Sequence, residues 1–204
     1  MTMIKICGLT SPDEAAFLNE IHADFAGMVQ FCEQSRRNTP ISRAREIMKA
    51  LDPAIRTVAV TVSPSAQQVH EIERAGFDLL QIHGQIRDEL LASVRIPVIR
   101  AVNGTNYESL DGMLKSDSVI GILFDAGMPG SGKTFDWSAL EGIELKGRMK
   151  MLAGGLTPEN AADAVRIVRP DAVDVSTGVE KDSGQGKSRE KILRFAEEVR
   201  KAAT

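Results

Sequence analysis

Three polar residues, Cys7, His83 and Asp125, each lie at or next to the end of a short apolar segment. A thiol and a carboxylic acid that face each other can act as a general base and a general acid. Lys5 lies two residues before Cys7, on the same face of an extended strand, where its ammonium would favour the thiolate. Each of the three also has a purely structural interpretation. Cys7 can be a small buried residue, His83 can bond a loop carbonyl, and Asp125 can stabilise a turn. The acid–base interpretation therefore requires a fold that brings these side chains together.

Two glycine-containing stretches indicate a phosphate-binding site. Gly154 and Gly155 follow one apolar segment, and Ser176, Thr177 and Gly178 follow the next. Glycine lets backbone N–H groups approach an anion closely, and the positive end of a following helix adds to the attraction. The alternative is that the first pair only forms a tight turn. Two such stretches after consecutive strands favour phosphate binding.

The segment Gly127–Thr134 matches the P-loop pattern G-x-x-x-x-G-K-[ST] and follows an apolar strand. Only a short helix fits before the next strand, and about 70 residues remain, too few for the rest of a nucleotide-binding sheet. We therefore favour a lid loop over nucleotide binding for this segment.

Eight β-branched segments alternate with eight segments of helical character along the whole chain. The predicted strands are Met3–Gly8, Phe25–Phe31, Arg56–Val62, Leu79–His83, Val98–Val102, Val119–Asp125, Lys150–Gly154 and Ala172–Ser176. The predicted helices are Pro12–His22, Ser42–Leu51, Ser65–Ala75, Ile86–Val94, Asn106–Leu114, Trp137–Ile143, Pro158–Val168 and Arg189–Ala202. The fifth helix contains Gly112 and is expected to be mostly loop. Ser11 with Glu14 forms a capping-box pattern, and Thr157-Pro158 is expected to start the seventh helix.

This alternation predicts an α/β fold, a single-domain (β/α)8 TIM barrel over residues 1–204 with short helices. In such a barrel the chemistry lies where the strands end and the following loops begin. Strand alternation directs Lys5, Cys7 and His83 to the interior. In the sixth strand it directs Ile120, Ile122 and Phe124 to the helices, and Leu123 and Asp125 to the interior. Cys7, His83 and Asp125 are therefore expected at one rim.

The composition excludes several classes of partner and location. The 25 Lys and Arg against 28 Asp and Glu give a net charge of −3, which provides no general attraction to nucleic acid. No apolar run approaches the length of about 18 residues that spans a membrane. The two cysteines, Cys7 and Cys32, lack metal-ligand spacing, so neither a disulfide framework nor a metal site is expected. The N-terminal sequence lacks signal-peptide character, and we expect a cytoplasmic protein.

The motifs together resemble the phosphoribosylanthranilate isomerase family of tryptophan biosynthesis, over essentially the whole chain. The matching segments are Lys5–Thr10, Ser35–Arg37, Leu80–Gly84, Leu123–Asp125, Gly130–Trp137, Ala153–Asn160 and Asp174–Glu180. The Lys-Ile-Cys-Gly opening and the glycine-rich stretch that ends in Phe-Asp-Trp are the most specific of these.

The resemblance implies an Amadori rearrangement of N-(5-phosphoribosyl)anthranilate to 1-(2-carboxyphenylamino)-1-deoxyribulose 5-phosphate, without a metal or organic cofactor. Cys7 matches the family's general base and Asp125 its general acid. Arg37 matches the arginine that holds the anthranilate carboxylate, although Arg36 beside it leaves the choice open. Gly154, Gly155, Ser176, Thr177 and Gly178 fall on the phosphate loops, and His83 is a further candidate for substrate contact.

Three alternatives stay open at this point. Another sugar-phosphate barrel isomerase, of the histidine-pathway type, would have an aspartate at position 7 and two similar halves, and neither is apparent. A non-catalytic phosphate-binding barrel would keep the glycine loops without the chemistry. A nucleotide-binding protein would use Gly127–Thr134. The partner is in each case a small phosphorylated molecule, and the sequence does not distinguish a monomer from a homodimer.

Overall fold

Eight parallel strands form the centre of the structure, a computed structural model that describes residues 1–103, 110–125 and 136–202. Each strand pairs with the next, and the last pairs with the first to close a barrel. The strands are β1 (Met3–Cys7), β2 (Phe25–Val29), β3 (Arg56–Val62), β4 (Leu79–His83), β5 (Val98–Asn103), β6 (Val119–Asp125), β7 (Met149–Leu152) and β8 (Ala172–Val175). The predicted (β/α)8 barrel is confirmed, with strand ends that differ from the prediction by at most two residues.

The helices that cover the barrel are short, as predicted. They are α1 (Ala15–Glu20), α2 (Ile41–Ala50), α3 (Ala66–Ala75), α4 (Asp88–Ser93), α5 (Leu110–Met113), α6 (Ala161–Val168) and α7 (Arg189–Ala202). The predicted sixth helix is a single 3-10 turn, Trp137–Leu140, and the first helix opens with the 3-10 turn Pro12–Glu14. Of the predicted fifth helix, residues 106–109 lie outside the described residues. None of the described helices is long and apolar enough to cross a membrane.

Two helix starts illustrate how local sequence sets the loops around the barrel mouth. The Ser11–Glu14 capping box is present, as predicted. The regular part of α6 begins at Ala161, three residues later than predicted, but Thr157 caps the turn that leads into it, as predicted: Ala161 N donates to Thr157 O at 3.0 Å and Glu159 N to Thr157 Oγ1 at 3.2 Å. The side chain of Asn160 accepts a hydrogen bond from Thr157 N at 2.8 Å and donates one to Gly155 O at 2.9 Å. These bonds close the turn that opens the helix and connect it to the glycine loop.

The buried side chains form two separate layers. The outer layer fills the space between the barrel and the helices, and Ile4, Ile6 and Phe124 belong to it. The inner layer fills the barrel itself, where Phe25 and Leu123 are buried completely. The alternation of side chains along each strand produces this separation.

One predicted orientation in β6 is wrong. The pairing of β5 with β6 shifts register, because Val98 pairs with Val119 while Ile99 pairs with Gly121. Ile120 is the extra residue in this bulge, and it packs against the inner layer instead of facing the helices. Beyond the bulge Ile122 lies in the outer layer, as predicted. The shift leaves the end of β6 with its predicted orientation.

Candidate active site

A cavity of about 390 Å³ opens at the carboxyl ends of the strands. Of the residues that the sequence marked as candidates, all but Arg36 line this cavity: Cys7, Arg37, His83, Asp125, Gly154, Gly155, Ser176, Thr177 and Gly178. Cys7 and Asp125 are each only 8% exposed. The fold therefore brings together a thiol, a carboxyl group, an arginine and two glycine loops that are far apart in the chain. Among the described residues, no group of three or more potential metal ligands comes together.

The backbone around Cys7 is held from both sides. On one side, the N–H groups of Gly8 and Leu9 donate to the carbonyl of Gly27 on β2, at 2.8 and 3.0 Å. On the other, the hydroxyl of Ser176 donates to the carbonyl of Cys7 at 2.9 Å. These bonds fix the position from which the thiol points into the cavity.

Lys5 lies two residues before Cys7 on the same face of β1 and is completely buried. Its ammonium donates to Asp174 Oδ2 on β8 at 3.0 Å. On the opposite side Gly27 leaves the necessary room, since a β-carbon there would lie 2.9 Å from both Lys5 Nζ and Cys7 Sγ. The ammonium and the thiol therefore share the space above Gly27.

The electrostatic environment of Cys7 combines opposing effects. Burial raises the pKa of the thiol, and the negative charge of Asp174 raises it further. The ammonium groups of Lys5 and Lys187 lower it, but the net direction is upward. The expected influence of Lys5 on the thiolate therefore has the right sign, but it is smaller than the effect of burial. Burial alone would lower the pKa of the Lys5 ammonium. The attraction of Asp174 and Cys7 outweighs burial, so the pKa of Lys5 is raised.

Asp125 ends β6 and points into the cavity, as the alternation of that strand requires. Strand β7 continues the ladder beside it, where Ala153 N donates to Phe124 O at 2.8 Å. The next residues, 126–135, lie outside the described residues. The P-loop-like segment Gly127–Thr134 is among them, so its interpretation as a lid loop stays a prediction.

The two neighbouring arginines have different positions. Arg37 is 15% exposed and lines the cavity, whereas Arg36 is 55% exposed and lines only an adjacent cleft. Arg37 donates from Nε to Glu180 Oε1 at 2.6 Å and from Nη2 to Thr177 Oγ1 at 2.8 Å. Arg36 pairs with the other carboxylate oxygen of Glu180. Of the two, only Arg37 can reach a ligand inside the cavity.

Sequence reasoning assigned no role to Glu180 and did not mark Lys187, although both hold the site together. Glu180 is buried and pairs with both arginines. Lys187 is also buried and donates from Nζ to Ser176 O at 3.1 Å and to Ser176 Oγ at 3.3 Å. Burial lowers the pKa of Lys187, while the attraction of Cys7 and Glu180 opposes this shift. A buried lysine in a polar loop has no periodic signal in the sequence, which is why it was missed.

The two glycine loops touch each other at the cavity rim. Gly154 and Gly155 have φ values of +84° and +68°, a left-handed backbone that favours glycine. Gly178 lies so close to the first loop that a β-carbon there would be 2.0 Å from Leu156 O. The glycines therefore bring backbone from both loops to one place, as binding of a phosphate requires.

Two further polar side chains lie on β4 and line the cavity. Gln81 is buried, and its Nε2 lies 2.9 Å from His83 Nε2. His83 is partly exposed at the rim. This pair places an imidazole and an amide across the cavity from the phosphate loops.

Comparison with known proteins is consistent with this site. The pattern of the family described as N-(5'phosphoribosyl)anthranilate (PRA) isomerase matches residues 4–198. The chain is 39% identical over 203 residues to N-(5'-phosphoribosyl)anthranilate isomerase of Streptococcus gordonii, covering 98% of each chain. The crystal structure of phosphoribosyl anthranilate isomerase from Thermotoga maritima is similar, with a TM-score of 0.87, 36% identity, and coverage of 98% of this chain and 100% of that one.

A second solved structure shows such an enzyme with a ligand. It is phosphoribosyl anthranilate isomerase in complex with reduced 1-(o-carboxyphenylamino)-1-deoxyribulose 5-phosphate. Its TM-score is 0.85 at 33% identity, and the match covers 98% of this chain and 100% of that one. The chain therefore belongs to the N-(5'phosphoribosyl)anthranilate (PRA) isomerase family.

Proposed function

We propose that the protein catalyses the isomerisation of N-(5'-phosphoribosyl)anthranilate to 1-(2-carboxyphenylamino)-1-deoxyribulose 5-phosphate, a step in tryptophan biosynthesis. The observation that carries the proposal is that Cys7 on β1 and Asp125 on β6 line the same cavity. A base and an acid on different strands can act on two sides of one ribose. Family membership supports the same reaction.

In this mechanism Asp125 is the general acid. Its proton passes to the ring oxygen of the ribose, the bond between that oxygen and C1′ breaks, and the amine nitrogen supplies the electrons to form an iminium. Such a step requires a protonated carboxyl group. Asp125 lines the cavity and is 8% exposed, which places its carboxyl group against a bound substrate.

Cys7 is the general base. Its thiolate removes the proton from C2′, and the electrons of that C–H bond form an enolamine while the iminium is neutralised. Loss of the hydroxyl proton and protonation at C1′ then give the ketone. The atoms and electrons of substrate and product are the same, so the reaction requires only proton transfers.

The two anionic groups of the substrate have matching sites at the cavity. We assign the phosphate to the loops of Gly154–Gly155 and Ser176–Gly178, whose backbones meet at the rim. We assign the anthranilate carboxylate to Arg37, because Arg36 does not line the cavity. Two fixed anions would hold the ribose between Cys7 and Asp125. His83 is at the rim, where it is a further candidate for substrate contact.

The test is a direct assay with freshly made phosphoribosylanthranilate, in which loss of the fluorescence of the anthranilate adduct reports turnover. Cys7→Ala and Asp125→Asn should each lower kcat by about 100-fold or more, because a proton transfer is lost. The control is Cys32→Ala, since Cys32 also lines the cavity but has no role in the chemistry. Near-normal turnover in the Cys7 or Asp125 variant would remove that residue from its role.

Location in the cytoplasm and the choice between monomer and homodimer stay predictions. The two free cysteines, Cys7 and Cys32, support a reducing compartment. Separation of the protein by size, with its mass measured by light scattering, would determine the oligomeric state.

A further inference from the structure

Asp174 is a buried carboxylate that the acid–base mechanism does not use. It lies on β8, pairs in register with Lys5 on β1 and is 7% exposed. It also lines the cavity, one layer deeper than Ser176 on the same strand path. Its position is therefore at the cavity floor beside Cys7.

The two oxygens of Asp174 have different surroundings. Oδ2 accepts the hydrogen bond from Lys5 Nζ at 3.0 Å. Oδ1 is buried and accepts no hydrogen bond from any side chain or backbone group in the described part of the chain. A buried carboxylate oxygen without a donor destabilises the fold, and such atoms in native proteins commonly have a functional explanation.

The pairing with Lys5 determines what Oδ1 can bind. Asp174 forms a buried ion pair with the Lys5 ammonium through Oδ2, and a carboxylate can only accept hydrogen bonds. Its partner is therefore a donor, and Asp174 is one of the residues that line the cavity. Of the two anionic groups on the proposed substrate neither can donate, whereas the ribose hydroxyls can.

We propose that Asp174 positions the substrate by accepting a hydrogen bond from the C3′ hydroxyl of the ribose, an inference that rests on the proposed function. Cys7, which takes the C2′ proton, ends β1, and the proposed phosphate loop follows β8. The carbon chain from C2′ to the phosphate therefore passes over the end of β8. C3′ is the first carbon after C2′ on that path and keeps its hydroxyl through the reaction, so we place this hydroxyl at Asp174.

This contact aligns the substrate as well as binding it. Lys5 connects Asp174 to the space beside Cys7, so a hydroxyl held by Oδ1 fixes the neighbouring C2′–H relative to the thiol. Hydrogen bonds to charged groups are stronger than those between neutral groups. The site is accordingly specific for a sugar phosphate that carries this hydroxyl.

The test compares two ligands that differ only in this hydroxyl: reduced 1-(o-carboxyphenylamino)-1-deoxyribulose 5-phosphate and its 3-deoxy counterpart. Calorimetry gives the Kd of each for the wild-type protein. We expect the 3-deoxy ligand to bind about 10- to 100-fold more weakly, the range for loss of a charged hydrogen bond. Equal binding of the two ligands by the wild-type protein would overturn the proposal.

The variant Asp174→Asn is the second arm. Lys5 would select the amide oxygen and leave the amide nitrogen for the hydroxyl, so a neutral hydrogen bond replaces a charged one and discrimination between the two ligands should fall about threefold or more. Asp182→Asn is the matched control, because Asp182 is an exposed aspartate in the loop after β8, and it should discriminate as the wild type does. Unchanged discrimination in Asp174→Asn would overturn the proposal.

A second variant and the choice of a binding measurement make this test independent of whether Asp174→Asn folds and of the assigned reaction. If Asp174→Asn does not fold, the double variant Lys5→Met/Asp174→Leu removes both charges and keeps a similar volume. The Kd of the 3-deoxy ligand is then compared with that of the complete ligand in this variant, and the ratio should again be smaller than in the wild type. Binding requires no turnover, so it is separate from the isomerase assay. If the wild-type protein converts phosphoribosylanthranilate but binds both ligands equally, the proposed function stands and only the contact between Asp174 and the C3′ hydroxyl is refuted.

Discussion

Gly27 on β2 lies against Cys7, so close that a β-carbon at position 27 would be 2.9 Å from Cys7 Sγ. The same β-carbon would be 2.9 Å from Lys5 Nζ and 3.1 Å from the Cα of Cys7. Distances below 3 Å between such atoms require displacement of one of them. The position of the thiol therefore depends on a residue of the neighbouring strand that has no side chain.

Gly27→Ala should consequently displace the thiol and the ammonium while the barrel still forms. We expect kcat to fall about 10- to 100-fold with a smaller change in KM, because the phosphate and carboxylate sites are unaffected. The control is Gly121→Ala on β6, where a β-carbon would lie 3.2 Å from Cε and 3.3 Å from the backbone oxygen of Met149, contacts that a shift of a few tenths of an ångström relieves. Steady-state kinetics on both variants would contradict the interpretation if Gly27→Ala kept wild-type kcat.

The pH dependence of activity follows from the environment of Cys7. The thiolate is the active form, so kcat/KM rises with pH through the pKa of the thiol. Burial raises that pKa, which places the rising limb above the ordinary range of a cysteine. Lys5 opposes the shift, and removing its ammonium must move the rising limb to still higher pH.

The variant Lys5→Met tests whether the Lys5 ammonium lowers the pKa of the Cys7 thiol. Lys49→Met, at an exposed position on α2, is the control. The variant should show a rising limb of kcat/KM at higher pH than wild type, whereas the control profile should not move. Because Lys5→Met leaves Asp174 buried without its partner, Lys5→Met/Asp174→Asn removes the second charge and separates stability from titration. A limb shifted to lower pH in Lys5→Met would show that Lys5 does not stabilise the thiolate.

Much of this site was accessible from the sequence because strand alternation is local. Lys5 and Cys7 share a face since they are two residues apart, and Asp125 ends its strand on the inward side. The bulge at Ile120 was missed because it arises from pairing with β5, which no periodicity within β6 reveals. The delayed start of α6 was missed for a related reason, since the Asn160 side chain supports the turn.

Contacts between distant strands could not be predicted. Lys5 and Asp174 are 169 residues apart, and only barrel closure between β1 and β8 joins them. The same holds for Gly27, whose importance lies in the atoms of another strand. The position of Arg37 inside the cavity likewise depends on Glu180, 143 residues further along the chain.

The two arginines give a kinetic prediction. Arg37→Ala should raise KM about 10- to 100-fold with a smaller effect on kcat, because the anthranilate carboxylate loses its partner. Arg36→Ala is the matched control and should change KM by less than about threefold, since an exposed ion pair contributes little. With N-(5-phosphoribosyl)aniline, which lacks the carboxylate, Arg37→Ala should have no further effect. A larger KM increase in Arg36→Ala than in Arg37→Ala would reverse the assignment.

A buried carboxylate outside the chemistry gives a prediction about stability. Glu14 Oε2 accepts hydrogen bonds from Thr10 N and Ser11 N at 2.7 and 3.2 Å, and Oε1 accepts from Lys187 N at 2.7 Å. Glu14 thus connects the loop after β1 to the loop after β8. Glu14→Ala should lower the free energy of unfolding by about 2–4 kcal/mol, as measured by urea denaturation. Asp13→Ala, at the exposed neighbouring position, should change it little.

The contact between the two phosphate loops gives the last prediction. A β-carbon at Gly178 would lie 2.0 Å from Leu156 O and 3.0 Å from the Cα of Thr157. Both neighbours are backbone atoms, which cannot turn aside as a flexible side chain can. Gly178→Ala must therefore separate the loops and widen the phosphate site.

Separation of the loops should weaken every ligand that carries the phosphate. We expect KM for phosphoribosylanthranilate to rise at least about tenfold, and inorganic phosphate to become a correspondingly weaker competitive inhibitor. Gly112→Ala on α5 has open space around its β-carbon and should behave as wild type in both measurements. If Gly178→Ala instead lowered kcat while phosphate inhibition stayed unchanged, the loops would position the reacting carbon and the phosphate would bind elsewhere.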